Sequence, residues 1–333
     1  MSNIINKEAK LVENIFNKDE IEREPTRNGF GKGLVEAGEA DERVVAICAD
    51  LAESTRVHWF AEKFPERYIE MGVAEQNLAT VASGLANYGK IPFITSYATF
   101  SPGRNNEQIR STISLNNVPV KVVGAHAGIS VGPDGATHQA LEDIALMRVQ
   151  PNMTVLVPCD SEEARKATIA AAKTNTPIYL RLAREKTPVF TTEDTPFEIG
   201  KAQVFFTPKE ELENKVGIIS CGTLTHNAIM AAKAMEEKGV GVSVLNLTTI
   251  KPIDIETVVE FAKQVGSIVT VEEHQTSCGM GSAVAEVLSK NYPIKIRMIG
   301  IQDEFGQSGE PEELIKHYGL DAESIVNTIE EII

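Results

Sequence analysis

Positive charge is in short supply in this chain. Its 333 residues carry 32 Lys and Arg against 47 Asp and Glu, a formal net charge of −15. Nucleic-acid phosphates and anionic membranes are bound through basic surfaces, so that balance argues against both as partners. A small anionic substrate is not excluded, because a few arginines converging in a cleft can hold one. Cysteine is sparse too: Cys48, Cys159, Cys221 and Cys278 form no CxxC pair and no metal-finger spacing. Cys48 and Cys221 lie in apolar, strand-like runs and read as core packing. No run of about 18 apolar residues occurs, and the N-terminal MSNIINKEAK lacks an apolar signal region. A cytoplasmic, reducing setting is the expectation. Aromatics reach only 6% against 42% hydrophobic residues, which suits an aliphatic α/β core and excludes general disorder.

What is present alternates. The length suggests two domains, since single cores stop growing near roughly 250–300 residues. Residues 8–24 read as a charged helical lead-in ended by Pro25, and 27–38 as a Gly-rich helix. Strands are expected at 44–49, 68–71, 91–97, 118–124, 155–157 and 178–182, with helices at 105–115, 137–149 and 161–173. Residues 185–197, with two prolines and four threonines, read as a linker. Beyond it strands at 216–220, 242–247, 268–271 and 294–299 alternate with helices, and two helices close the chain. Such alternation predicts α/β architecture, parallel or mostly parallel sheets covered by helices.

The chemistry-bearing residues sit at strand ends. In RYIEMGVAEQNLATVASGLA, residues 67–86, a short strand meets Gly72 and then a helix. Leu78, Val81, Ala82 and Leu85 share one face at i, i+3, i+4 and i+7. Glu75 therefore occupies the first helical turn at the strand tip, where open α/β sheets place ligand-contacting groups. On its own such an acid could merely complement the helix dipole. The loop GAHAGISVGPDGATH, residues 124–138, has four glycines that let backbone approach a ligand closely. Its His126, Asp134 and His138 suit acid–base and hydrogen-bonding work better than a metal site, since so supple a loop imposes no coordination geometry. Tyr97 and Phe100 stand where strand gives way to loop, as a stacking platform would. Arg27, Ser54 and Arg184 are isolated polar residues at element ends, of interest only if the fold gathers them.

Glu75 in GVAEQN, Asp50 with Ser54 in ADLAES, and HAGISVGPDGATHQ together resemble the C-terminal half of transketolase. Arg27 in PTRNGF and Arg184 in LARE match the same family in the same order, so the resemblance spans essentially the whole chain. It implies a pyrimidine-binding domain at 1–185, a linker at 186–198 and a transketolase C-terminal-like domain at 199–333. Full-length members bind thiamine diphosphate through a preceding domain with a GDG motif and a divalent metal. Here the only DG is Asp134-Gly135. The resemblance is thus to one subunit of a split enzyme, with Mg2+ or Ca2+ and the diphosphate held by an N-terminal partner chain, in an α2β2 heterotetramer.

The same resemblance assigns roles. Glu75 is expected to hydrogen-bond N1′ of the aminopyrimidine and share a proton with it. Phe100 is expected to stack on that ring, with Tyr97 and Arg104 beside it and Asp50 lining the cofactor cleft. Arg27, Ser54, His126 and Arg184 match the family's substrate-phosphate binders, and Asp134 and His138 the residues that contact substrate hydroxyls. The implied reaction is reversible transfer of a two-carbon ketol unit between sugar phosphates, those of the pentose phosphate route by default. Two alternatives share the fold and the glutamate: deoxyxylulose-phosphate synthase and the β chain of 2-oxo-acid dehydrogenases. The synthase has Asp-Arg in place of the histidine, and a dehydrogenase chain has no need of Arg27 and Arg184. A non-catalytic regulatory subunit is the remaining alternative, disfavoured by Glu75 together with Phe100. In VEEHQTSCGMGSAV, residues 271–284, His274 reads as structural or as a subunit contact.

Overall fold

The computed structural model describes residues 5–333. In the first half, the runs at 44–48, 91–97 and 121–125 are mostly apolar and buried at almost every position, as in strands covered on both faces. Their alternation sends Ile47, Ile94 and Val122 to one core, with Leu78, Ala82, Ile109 and Met147. Ala46, Phe93 and Val123 go to the other, with Phe30, Leu34, Ala164 and Ala167. Helices therefore sandwich a seven-stranded sheet. Its spatial order is Thr249–Lys251, Thr154–Leu156, Ile178–Arg181, Lys121–Ala125, Ile91–Tyr97, Val44–Cys48, Tyr68–Glu70. All pairs are parallel except that of the edge strand Thr249–Lys251.

The second half builds a five-stranded sheet in the order Ile296–Ile301, Ser267–Gln275, Asn214–Ser220, Gly241–Asn246, Gln203–Phe206. The first four strands run parallel and the last antiparallel. The α/β class with mostly parallel sheets is as the alternation predicted. Among the described residues no helix is long and apolar enough to cross a membrane.

Several elements differ from expectation, each for a physical reason. Residues 8–24 are not a helix. A 3₁₀ turn Lys7–Ala9 and irregular turns lead into the short strand Arg23–Glu24. Ile15 and Ile21 are both buried in the core of the second sheet. Six residues apart on a helix they would face directions about 120° apart. This segment thus packs on the second half, tied by Asn6 N–H to Phe205 O and Val12 N–H to Phe190 O. The helix expected at 137–149 is only Asp143–Arg148. Ahead of it Gly135 takes φ +70°, and Gln139 Nε2 donates to the carbonyls of Ile129 and Gln307 at 3.0 Å each. Residues 105–115 are helical, but Asn106–Gln108 runs into a π turn, Ile109–Ser114. Helix Glu75–Asn87 buries Leu78, Ala79, Ala82, Ser83 and Ala86, leaving Val81 and Leu85 half-buried.

The expected linker is strapped down. Phe190 is fully buried, and Asp160 Oδ2 accepts from the backbone N–H groups of Phe190 (2.8 Å) and Thr191 (2.7 Å). The two halves also share a core, in which Val155 and Val157 join Ile219, Leu245 and Leu247. Strand Thr249–Lys251, from the second half, completes the first sheet, and Lys251 Nζ donates to the carbonyls of Arg148 and Gln150.

Candidate active site

Helix Glu75–Asn87 begins without a side-chain cap, and its first residue is an acid only 1% exposed. A buried carboxylate is costly unless paired. Arg104 supplies the pair, its Nη1 2.7 Å from Glu75 Oε2. Ser96 Oγ stands 3.5 Å from Oε1, and Asn105 Nδ2 donates to the Glu75 carbonyl at 3.0 Å. Beside the carboxylate lies a cavity of about 470 Å³ lined by Val73, Ala74, Gln76, Asn77, Thr80, Arg104 and Gln108. Phe100 does not line it. Arg104 stands between, its guanidinium 4.7 Å over the Phe100 ring.

Where strand Ile91–Tyr97 ends, aromatic and imidazole rings cluster. Tyr97 and Phe100 stack with centroids 6.1 Å apart, and Tyr97 lies against His126 at 4.0 Å. His138 meets Phe100 edge-on at 5.5 Å, and its Nδ1 is 2.9 Å from Thr137 Oγ1. His126 follows strand Lys121–Ala125 in a left-handed conformation, φ +53°, and is 2% exposed. Burial pushes its pKa down to about 3, with Arg27, Arg184, Arg56 and His138 adding repulsion. It is therefore neutral at ordinary pH. Arg27 Nη1 donates to His126 Nε2 at 3.2 Å, which assigns the imidazole proton to Nδ1, an atom with no partner.

Arg27 also donates to the carbonyl of Ser54 at 2.9 Å. Burial lowers its pKa, and neighbouring Arg56 and Arg184 act in the same direction. Arg184 donates to Val131 O at 2.7 Å and lies 3.7 Å from Asp134 Oδ2. These arginines line a second cavity, again about 470 Å³, with Arg23, Asn28, Arg56 and Lys186 on its wall and Glu185 and Glu312 at the same site. The expected set Arg27, Ser54, His126 and Arg184 is thus gathered.

An unbroken series of contacts joins the two ends of the site. It runs from Glu75 through Arg104, Phe100, Tyr97 and His126 to Arg27 and Ser54. Asp134 and His138 flank it. Asp50 stands apart: it is exposed, lines neither cavity, and its backbone N–H is held by Glu70 Oε1 at 2.8 Å.

Three contributors escaped the sequence reading. Arg56 lies two positions beyond Ser54, and following that element to its C-terminal end would have found it. Asn105 braces Glu75, which no spacing announces. Glu273, buried in the second half, accepts from Ser130 N–H at 2.5 Å and holds loop 128–139 in place. His274 is wholly buried, its Nδ1 2.7 Å from Gln275 O, which fits a structural role. Among the described residues no three His, Cys, Asp or Glu side chains cluster to hold a metal ion.

Comparison with known proteins points to one family. The model described as the pyrimidine-binding domain of transketolase matches residues 24–189, and that of the transketolase C-terminal domain matches 207–325. A Methanocaldococcus jannaschii protein described as a putative transketolase C-terminal section is 41% identical over 92% of this chain and 95% of its own length. A subunit of the apulose-4-phosphate transketolase of Phocaeicola vulgatus is 35% identical, covering 92% and 97%. Among solved structures, a split-gene transketolase described as an inactive β4 tetramer superposes with a TM-score of 0.85. It is 43% identical, over 92% of this chain and 97% of that one.

Proposed function

The chain belongs to the transketolase family, and on that premise we propose that it is the C-terminal subunit of a two-chain enzyme transferring a two-carbon ketol unit between sugar phosphates. The contact series from Glu75 to Arg27 carries the reading, because it links a buried acid beside one cavity to a cluster of arginines lining another. Members of the family depend on thiamine diphosphate, and the aminopyrimidine half of that cofactor fits this chain's residues. Glu75 offers a carboxylate, Phe100 a flat face, and the unpartnered Gln108 Oε1 lies on the wall of the adjoining cavity. When bound, the cofactor supplies an electron sink for the transferred carbons.

The chain's own residues then act as follows. Glu75 holds a proton at the ring nitrogen N1′, and Phe100 sets the plane of the ring. Arg104, which bonds Glu75 and lies over Phe100, would have to give way to admit it. His126, neutral and with a free Nδ1–H, donates to a substrate oxygen, while His138 and Asp134 contact hydroxyls. Arg27 and Arg184, whose planar forks suit phosphate oxygens, hold the far end of the sugar with Ser54. The diphosphate and its metal, Mg2+ or Ca2+, fall to the partner chain, in an α2β2 assembly.

The test is reconstitution with a diphosphate-binding partner chain. The mixture is expected to transfer ketol units and this chain alone to transfer none. Glu75→Gln is expected to lower kcat by about 10²–10⁴. Unchanged turnover in that variant would favour a regulatory subunit instead.

A further inference from the structure

The arginine cavity holds more positive charge than the expected set explains. Arg56 closes the short helix Ala52–Thr55 in a left-handed conformation, φ +69°, that turns the chain back toward helix Thr26–Ala40. Its guanidinium is pinned on two sides: Nε donates to Asn28 Oδ1 at 2.7 Å and Nη1 to Glu53 O at 2.8 Å. Nη2 makes no hydrogen bond among the described residues. Arg27 is placed alike, with Nη1 used by Ser54 and His126 and its buried Nε unpartnered. Among the described residues neither arginine has a carboxylate within 4 Å. The acids nearby are spent on others: Glu185 lies 3.5 Å from Arg184, and Glu312 lies 3.6 Å from Arg23.

Like charges held together by neutral anchors are stable only at a cost, which a multivalent anion between them removes. We propose that Arg56 is a third arginine of this site, closing with Arg27 and Arg184 a fork for the tetrahedral oxyanion, phosphate or sulfonate, at the substrate's end. The inference rests on the ketol-transfer reading for the identity of the substrate, but not for the binding itself. Asn28 acts as a positioning residue, since its Oδ1 fixes the plane of the Arg56 guanidinium while its Nδ2 donates to Glu24 Oε1 at 3.1 Å.

Inorganic phosphate and sulfate, titrated calorimetrically into the full-length chain without any partner, are the probes. Arg56→Gln is expected to weaken both by about tenfold to a hundredfold, the range for a charged hydrogen bond. Arg56→Lys, which keeps the charge but loses the fork, is expected to fall between. Both variants keep an unbranched side chain at the left-handed position, and a thermal melt checks their fold. Arg43→Gln, whose guanidinium is engaged by Asp41, is expected to change nothing. In the two-chain enzyme, Arg56→Gln should raise KM for a phosphorylated ketose with kcat nearly unchanged, and leave a donor lacking the terminal anion unaffected. Equal anion affinity in Arg56→Gln and the parent overturns the proposal, as does a parent chain that binds neither anion at millimolar concentration. Anion binding without ketol transfer would sustain the proposal and discard only the reaction.

Discussion

Replacing His126 with asparagine should remove a measurable acid sensitivity. The ring is buried against Tyr97 from its own sheet, faces Arg27 from helix Thr26–Ala40, and has Arg56, His138 and Arg184 around it. Burial, then those charges, hold its pKa at about 3, below the roughly 6.5 of an exposed histidine. Its folded-state pKa is depressed, so between those two values the unfolded chain binds the extra proton. The associated stability is complete above about pH 6.5 and is lost as pH falls toward 3. At pH 5 the unfolded histidine is about 1.5 units below its pKa while the folded one is still neutral. At about 1.36 kcal/mol per unit, this residue alone costs about 2 kcal/mol relative to pH 8. Chemical denaturation of parent and His126→Asn at pH 8 and pH 5 isolates the effect, because other titrating groups cancel in the difference. The parent should lose about 2 kcal/mol more than the variant. Parallel losses in the two proteins would mean that His126 is already charged, or solvated, in the fold. Arg27 could not then be its donor.

Other substitutions probe the frame of the site. Gly29→Ala places a Cβ against the carbonyl of Ser161, across the tight contact between helices Thr26–Ala40 and Ser161–Ala172. Forcing backbone apart there should cost about 1–3 kcal/mol of unfolding free energy in a denaturant titration and weaken phosphate binding through Arg27. Asp143 Oδ2 accepts from Arg181 Nε at 2.8 Å and Tyr179 OH at 2.6 Å, all of them buried. Asp143→Ala strands a buried guanidinium and should cost about 3–5 kcal/mol in the same titration, whereas loss of the exposed Lys263–Glu260 pair should be barely measurable. Arg104→Gln removes the group lying over Phe100 and should speed reconstitution with cofactor and partner; slower assembly would show that Arg104 helps hold the ring rather than standing in its place.

Much of the fold was legible because buried strands such as Val44–Cys48 and Lys121–Ala125 announce themselves by nearly unbroken apolar runs. Helix Glu75–Asn87 was legible from its period and from Gly72, which takes φ +66° as the turn demands. What escaped depends on partners distant in sequence. Ile15 and Ile21 have no local period because they fill a core built largely by the second half of the chain. Strand Thr249–Lys251 is very short and becomes a strand only by pairing with Val155 and Leu156. Among the site residues, Arg27, Ser54, His126 and Arg184 were each uninformative alone, and the sheet's parallel order brings them together. Asp50 looked equivalent to them from its strand-end position. Just past the strand, however, a left-handed φ of +57° leaves it exposed beside Glu70.

The grip of Glu273 on Ser130 has a consequence for recombination. Loop 128–139 belongs by chain order to the first half, yet its outer wall is Gly309, Pro311 and Ser308, and its inner peg is a carboxylate from the second. A chimera joined at 186–198 would exchange the mould while keeping the casting. Substrate preference in such hybrids should follow the donor of residues 272–311 as much as the donor of the histidines, and a truncated first half should inherit neither.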